Sequence, residues 1–188
     1  MVQFVNSSEL VISAVAFLES LRAVGAPDDE LDAALRSGLV HAGRARDPHA
    51  LASVLPVSLT GHVLLAKSRR HDSWGPTGGH VERQDPGLGA AAAREVAEEL
   101  AMTVSQGELE PLMFFAYPSA CNGGHGHLDF CFLWVMDEPM PVKPSSDVID
   151  AAWFPLPGPE PMAPHAQMMI TETQRRKDSG RLRHQPLH

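Results

Sequence analysis

The sequence predicts an α/β or α+β domain preceded by a helical extension. Short apolar segments rich in valine and leucine begin at about residue 52, and segments with helical spacing lie among them. Strands with interspersed helices favour this architecture, and 188 residues fit one domain with a small extra element. We therefore expect an N-terminal helical extension over residues 1–50, a main domain over residues 51–178 and a flexible tail over residues 179–188.

The extension carries two helical patterns. Asn6 is a candidate cap with Glu9 three residues later, and apolar residues then recur at helical spacing as far as Leu21. A break follows, and a second short helix is predicted over 28–37. We expect the extension to pack on the main domain or to mediate a homodimer, and a lid that specifies the substrate is the alternative.

Five extended segments predict the strands of the main domain. Each is a short apolar run, and Gly61 separates the first two. The predicted strands cover residues 53–60, 62–68, 112–118, 128–136 and 151–156. A C-terminal helix is predicted over 165–177, after a proline-rich stretch.

Charge and composition narrow the class of function. The formal net charge is −8 and the pI is near 5.6, which argues against broad binding of nucleic acids or anionic membranes. The sequence has no run of about 18 apolar residues that would span a bilayer, and it lacks the cationic start of a signal peptide. Two cysteines, Cys121 and Cys131, do not make a disulfide scaffold. We expect a cytoplasmic protein with reduced thiols.

A helix is predicted from Pro86 to Leu100. Asp85 is the expected cap of its free amide groups, and proline is tolerated at the first helical position. A link between Asp85 and Arg94 is a second expected role for this acid. Every fourth residue from Leu88 onward is apolar, which predicts a buried stripe.

The same helix carries a cluster of acids that oppose its stability. Glu95, Glu98 and Glu99 stand at i, i+3 and i+4, and like charges at this spacing cost about 0.2–0.5 kcal/mol per pair. The C-terminus of a helix also disfavours anions. A divalent cation such as Mg²⁺ would relieve both effects, because it takes oxygen ligands. A solvated acidic face is the alternative, but Gly78 and Gly79 favour the cation since they allow close backbone approach.

The stretch Gly79–Met102 resembles the Nudix box, whose pattern is G-x5-E-x7-R-E-U-x-E-E-x-G-U with U a bulky aliphatic residue. The segment "REVAEE", Arg94–Glu99, matches R-E-U-x-E-E at every fixed position. The preceding "WGPTGGHVE" is similar to the run that often leads into the box. Later segments, "HLDFCFL" and "AAWFPL", also look like strands of that fold.

The box departs from its pattern at three places. Asp85 stands where glutamate is expected, and eight residues rather than seven separate it from Arg94, so one residue is inserted. Thr77 stands where proline is usual. Ala101 replaces the glycine that follows the acids. An alanine with positive φ is strained by roughly 1 kcal/mol, so we expect the helix to run slightly further before it turns.

The resemblance implies a Nudix-type α/β/α sandwich around a mixed sheet. It implies a hydrolase that uses Mg²⁺ or Mn²⁺ to cleave a diphosphate linkage in a nucleoside diphosphate joined to another group. Such an ion bridges phosphate oxygens and lowers the pKa of bound water, and Glu95 is the first candidate to accept the proton. The implied catalytic residues are Arg94, Glu95 and Glu98, and the implied metal-binding residues are Gly78, Gly79, Glu95, Glu98 and Glu99.

Five further residues are candidate substrate contacts. Arg69 and Arg70 could bind phosphate, although ordinary surface cations would look the same. His127 and Asp129 follow a glycine-rich loop, "CNGGHG", and a zinc site there lacks the usual ligand spacing. Asp147 is an acid in a region where several relatives carry a metal ligand or a base.

Two alternatives to hydrolysis stay open at this point. One is a catalytically weak Nudix-like module that recognises a nucleotide without turning it over. The other is a diphosphate isomerase of the same superfamily. The sequence leaves nucleoside triphosphates, ADP-ribose-like diphosphates, nucleotide sugars and coenzyme A as candidate substrates.

Overall fold

Helices on both faces of a mixed sheet make up the part of the chain that the structure describes. The structure is a computed structural model, and it describes residues 7–23, 49–68, 72–82, 84–117, 126–146 and 148–183. The helices are α1 (Ser7–Ala23), α2 (Leu88–Leu100) and α3 (Pro164–Asp178). The strands are β1 (His49–Ser58), β2 (His62–Ser68), β3 (Trp74–Gly75), β4 (Thr77–His80), β5 (Leu109–Tyr117), β6 (His127–Met136) and β7 (Val148–Pro155).

The strands in the described ranges form one sheet in the order β3-β2-β1-β6-β5, with β4 beside β1 and β7 beside β2. β1 and β6 run parallel, and the other pairs run antiparallel. Since β6 takes one edge of β1, the other edge is divided between two strands. β4 pairs with Leu51–Val54, and β2 pairs at Val57.

Side chains that alternate along the strands build a core on each face of the sheet. On β6, Phe130 and Phe132 face α1 and α2, whereas Cys131 and Leu133 face α3. We call the side of α1 and α2 the first face and the side of α3 the second face. The predicted α/β/α sandwich around a mixed sheet is therefore confirmed.

Helix α1 from the N-terminal extension packs into the first-face core. Its buried residues are Ala14, Phe17, Leu18 and Leu21. The ring of Phe17 lies edge-on to Phe130 and Phe132, with centroid separations of 5.3 and 5.0 Å, an arrangement that aromatic pairs prefer. The burial of Phe17, Leu18 and Leu21 contributes about 1.5–3 kcal/mol for each side chain. The second helix predicted for the extension, over 28–37, lies outside the described residues.

Most strand predictions agree with the structure to within a few residues, but β3 and β4 were not predicted. These strands have two and four residues, and glycine makes up half of each. Glycine is depleted in strands. The pairing of β4 with β1 therefore comes from tertiary context and not from local propensity.

The start of α2 differs from the prediction, and Asp85 is not its cap. The helix begins at Leu88, and Gly87 at the cap position supplies no side-chain hydrogen bond. The Leu88 N–H donates instead to Ser13 Oγ of α1, at 3.0 Å. Asp85 is 6% exposed and accepts the N–H of Glu82 at 2.7 Å. The cap thus comes from a residue 75 positions away along the chain.

The end of α2 also differs from the prediction. Ala101 adopts the left-handed conformation, with φ 52° and ψ 33°, so the helix does not run further. Lys143 and Ser145 explain this, because their N–H groups bond to the carbonyls of Leu100 and Glu99 at 3.2 and 2.9 Å. The predicted buried stripe is confirmed, with at most 1% exposure at Leu88, Ala92, Val96 and Leu100.

Candidate functional site

The three glutamates of α2 lie in different environments although they share one helix. Glu95 is only 9% exposed and lies against the sheet. The side chain of Glu98 is 57% exposed. Glu99 is intermediate and reaches toward β4. The predicted patch of three carboxylates therefore has a buried member, an exposed member and one directed at a strand.

Gly79 of β4 makes room for the buried carboxylate. A β-carbon placed on Gly79 would lie 2.6 Å from Glu95 Oε1 and 2.8 Å from Oε2. Side chains do not approach one another so closely, so a glycine is required for Glu95 to pack there. Burial raises the pKa of Glu95, the neighbouring Arg94 lowers it, and the charges of Glu99 and Glu98 raise it again; the net shift is upward.

Arg94 joins two of the glutamates to the loop before the helix. Its Nη1 atom contacts Glu95 Oε1 at 2.7 Å and Glu98 Oε2 at 3.0 Å. Its Nε and Nη2 atoms donate to Asp85 at 3.1 and 3.0 Å, and Nη2 also donates to the carbonyl of His80 at 2.9 Å. These bonds, the one to Asp85 foremost, raise the pKa of the guanidinium above its ordinary value.

Glu99 is held by β4. The hydroxyl of Thr77 donates to Glu99 Oε2, and the Gly78 N–H donates to the same oxygen at 3.2 Å. Thr77 is 1% exposed. One sequence feature points to this residue, since a polar side chain stands where proline is usual. We call Thr77, Arg94, Glu95, Glu98 and Glu99 together the glutamate site.

The carboxylate oxygens of Glu95, Glu98 and Glu99 are suitable ligands for a hard divalent cation. Mg²⁺ is commonly held by one or two carboxylates together with waters and substrate phosphates. Among the described residues, no three His, Cys, Asp or Glu side chains converge on a single ion position. Instead, Arg94 contacts two of the glutamates and Thr77 contacts the third. Hydrogen bonds from Arg94 and Thr77 thus offset part of the repulsion among the three glutamates, which a divalent cation was expected to relieve.

A second polar group lies on the opposite face of the sheet. Asp129 of β6 is 2% exposed, and burial raises its pKa to about 6 in spite of a hydrogen bond with Ser53. The ring of His127 lies edge-on to those of His80 and Tyr117, with centroid separations of 5.2 and 5.4 Å. We call His80, Tyr117, His127 and Asp129 the second-face cluster.

The structure places the sequence-predicted substrate residues in two categories. His127 and Asp129 lie in β6 within the second-face cluster, to which His80 and Tyr117 were not assigned in advance. Arg69, Arg70 and Asp147 lie outside the described residues, so they stay predictions.

A model of the NUDIX domain family matches residues 47–171 of the chain. The match covers β1 to the middle of α3 and includes the glutamate site. No curated protein matches the chain. None of the helices within the described ranges has the length and apolar character needed to cross a membrane.

Solved structures of Nudix proteins have the same fold. A MutT Nudix hydrolase from Burkholderia pseudomallei is 22% identical with a TM-score of 0.57, and the match covers 67% of this chain and 98% of that one. A MutT/nudix family protein from Enterococcus faecalis is 18% identical with a TM-score of 0.59, and the match covers 88% of this chain and 74% of that one. The Nudix domain of NrtR from Shewanella oneidensis, in complex with ADP ribose, is 20% identical with a TM-score of 0.58. That match covers 69% of this chain and 88% of the other. At these identities the likeness concerns the fold.

Proposed function

The chain belongs to the NUDIX domain family, and we propose that it hydrolyses a diphosphate linkage in a nucleoside diphosphate joined to another group, with Mg²⁺ or Mn²⁺ as cofactor. The observation that carries this proposal is the set of three glutamates on α2, with Glu95 packed on Gly79 of β4. The ADP ribose in one of the similar structures supports a nucleotide derivative as the substrate.

Four parts of the site would hold the metal ion. Glu98 is exposed and Glu99 lies beside β4, so they are the proposed main ligands. Glu95 and a backbone carbonyl of Gly78 or Gly79 are the proposed additional ligands. When bound, the ion would neutralise phosphate charge and lower the pKa of a bound water.

Glu95 is the proposed proton acceptor. Its pKa is raised, chiefly by burial, and a general base works best when its pKa is near the working pH. Arg94 fixes the position of this carboxylate through the bond of 2.7 Å. We therefore assign Arg94 a positioning role, since its other bonds all lead to Asp85, His80 and Glu98.

A panel of diphosphates incubated with Mg²⁺ or Mn²⁺, with products identified by mass spectrometry, tests the proposal. Glu98→Gln combined with Glu99→Gln should reduce hydrolysis at least about 100-fold, because metal binding and charge stabilisation are lost. Glu138→Gln, at an exposed position after β6, is the matched control and should leave the rate unchanged. A panel in which no diphosphate is cleaved would refute the proposal, and a product that retains its diphosphate would indicate an isomerase.

A second candidate function is a module that binds a nucleotide without hydrolysing it. The observation that favours it is the present pairing of the glutamates with Arg94 and Thr77. A nucleotide complex that survives prolonged incubation with Mg²⁺ would support this candidate.

A further inference from the structure

One oxygen of Glu99 accepts two hydrogen bonds from β4. The hydroxyl of Thr77 and the N–H of Gly78 both donate to Oε2, the latter at 3.2 Å. An ionised carboxylate has about four acceptor positions on its two oxygens, so these two donors use the positions of Oε2. A cation that Glu99 binds would therefore contact Oε1 and not both oxygens.

The two donors lie on a strand whose backbone is packed closely on its neighbour. A β-carbon placed on Gly78 would lie 2.6 Å from the carbonyl oxygen of Ala52 and 2.7 Å from the α-carbon of Ser53, both in β1. Thr77 is 1% exposed and lies within the paired segment of β4. The donors thus have little freedom to follow the carboxylate of Glu99 if it rotates.

Glu98, the other proposed main ligand, is held in a different way. Its side chain is 57% exposed, and its bond of 3.0 Å comes from the side chain of Arg94 one turn earlier in the same helix. A flexible side chain on the surface of a helix can adjust to an ion. Of the two proposed main ligands, Glu99 is therefore the one whose orientation is set by the backbone of another element.

The number of oxygens that a carboxylate offers distinguishes two common hard cations. Ca²⁺ takes 6–8 oxygen ligands in flexible geometry and accepts carboxylates through one or both oxygens. Mg²⁺ is smaller, requires near-octahedral geometry and keeps several waters. A carboxylate restricted to one oxygen therefore suits Mg²⁺ and withholds a ligand from Ca²⁺. Proline, which is usual at position 77 of the box, has no hydroxyl that could impose this restriction.

We propose that Thr77 determines metal specificity at the glutamate site: by holding Oε2 of Glu99, its hydroxyl favours Mg²⁺ over Ca²⁺. The inference rests on the proposed function, because it concerns the cation that the glutamates would bind. It goes further in naming the residue that selects this cation. Thr77 acts through Glu99 and is a positioning residue.

Competition for bound Mn²⁺ tests the inference without any substrate. The full chain is loaded with Mn²⁺, the free ion is measured by electron paramagnetic resonance, and Mg²⁺ or Ca²⁺ is added as competitor. The ratio of the Ca²⁺ to the Mg²⁺ dissociation constant defines the Mg²⁺ preference. In Thr77→Val this preference should fall about 10-fold, because Mg²⁺ binding loses a partner of its ligand whereas Ca²⁺ gains access to the second oxygen.

Three further variants assign the effect to the hydroxyl. Thr77→Ser retains the hydroxyl and should keep the Mg²⁺ preference of the unaltered chain. Thr77→Ala lacks the hydroxyl and should show the same fall as Thr77→Val, so it decides the question if the valine variant does not fold. Thr171→Val removes an exposed hydroxyl on α3 and should leave the preference unchanged. A loss of packing at position 77 would weaken both ions alike and would not move their ratio.

The outcomes separate this inference from the proposed function. An unchanged Mg²⁺ preference in the valine or alanine variant, an equal fall in Thr77→Ser, or no binding of Mn²⁺ to the unaltered chain would each overturn the inference. Hydrolysis of the diphosphate panel is measured independently. A chain with a Thr77-dependent preference but no hydrolysis would retain the inference and lose the proposed function. Hydrolysis with Mg²⁺ and an unchanged preference in Thr77→Val would have the opposite meaning.

Discussion

The carboxylates on the two faces of the sheet differ in the hydrogen-bond donors that the protein gives them. On the first face, the described residues give a hydrogen-bond donor to each glutamate of the glutamate site: Arg94 bonds to Glu95 and Glu98, and Thr77 bonds to Glu99. On the second face, Asp129 is buried more deeply, and its Oδ1 atom has no donor among the described residues. The carboxylates of the first face thus have protein donors, whereas one oxygen of Asp129 on the second face has none among the described residues. Four substitutions test this difference, in order of expected effect.

The largest effect is expected for Arg94→Ala, which would remove the organisation of the first face. It leaves Asp85 and Glu95, with side chains 5% and 12% exposed, without their cation. Breaking a buried ion pair from one side costs about 3–5 kcal/mol, and urea unfolding should show a loss of this size. Arg175→Ala is the matched control: Arg175 is 56% exposed in its ion pair with Glu172, so the free energy of unfolding should stay nearly unchanged. Equal losses would show that Arg94 does not organise the site.

Asp129→Asn should stabilise the protein at neutral pH. The pKa of Asp129 is about 6 in the folded chain, against an ordinary value of 3.8. The folded state therefore binds more protons than the unfolded state between these values, so stability falls as the pH rises from about 4 to 6 and then levels off. The difference corresponds to about 3 kcal/mol.

Urea unfolding from pH 4 to pH 8 measures this second effect. The gain from Asp129→Asn should be full at pH 8 and should disappear near pH 4. Ser53, Cys131 and Tyr117 interact with Asp129, and the variant retains all three. Asp150→Asn is the control and should show no such dependence on pH. A pH-independent gain would mean that the carboxylate of Asp129 is not strained by burial.

Thr77→Val tests the hold of β4 on Glu99. The variant keeps the shape of the side chain but removes the hydroxyl that donates to Glu99 Oε2. Glu99 Oε2 keeps the Gly78 N–H but loses one hydrogen bond to a charged group, which costs about 1.5–3 kcal/mol. Mn²⁺ binding, followed by calorimetry, should weaken about 10-fold because a partner of a proposed ligand is lost. Thr171→Val removes an exposed hydroxyl on α3 and should change neither quantity. Unchanged Mn²⁺ binding in Thr77→Val would separate Thr77 from the metal site.

The smallest effect is expected for Ala101→Gly at the end of α2. Ala101 has a φ of 52°, which costs an alanine about 1 kcal/mol and costs a glycine almost nothing. The variant should gain about 0.5–1 kcal/mol in thermal or urea unfolding. Ala97→Gly, the same change inside the helix, should lose about as much. A loss in both variants would contradict the assigned conformation of Ala101.

The sequence could predict the parts of this molecule that depend on local pattern. The spacing of Leu88, Ala92, Val96 and Leu100 predicts the buried stripe of α2, but it does not predict that Glu95 is buried as well. The cap of the same helix could not be predicted, because Ser13 belongs to another helix far away in the chain. A cap of that kind leaves no trace in the residues beside Leu88.

The second-face cluster could be predicted only in part, for a related reason. His127 and Asp129 lie two positions apart at the start of an apolar strand, where polar residues indicate a functional role. His80 and Tyr117 reach the cluster through the register of β4 on β1 and of β5 on β6. Register depends on the whole sheet, and β4 was not predicted as a strand at all. The cluster therefore became visible only when four strands were assembled.

The short strand β4 limits where the box can take an inserted residue. Successive residues of a strand point to opposite faces, so a slip of one position would turn His80 toward the glutamates and Gly79 toward His127. The extra residue lies beyond β4, in the loop that Asp85 and Arg94 fasten. Pairing with β1 fixes the face to which each residue of β4 points, and the buried stripe fixes the rotation of α2 about its axis. Among the described residues, the loop between β4 and α2 can therefore change in length without altering either orientation.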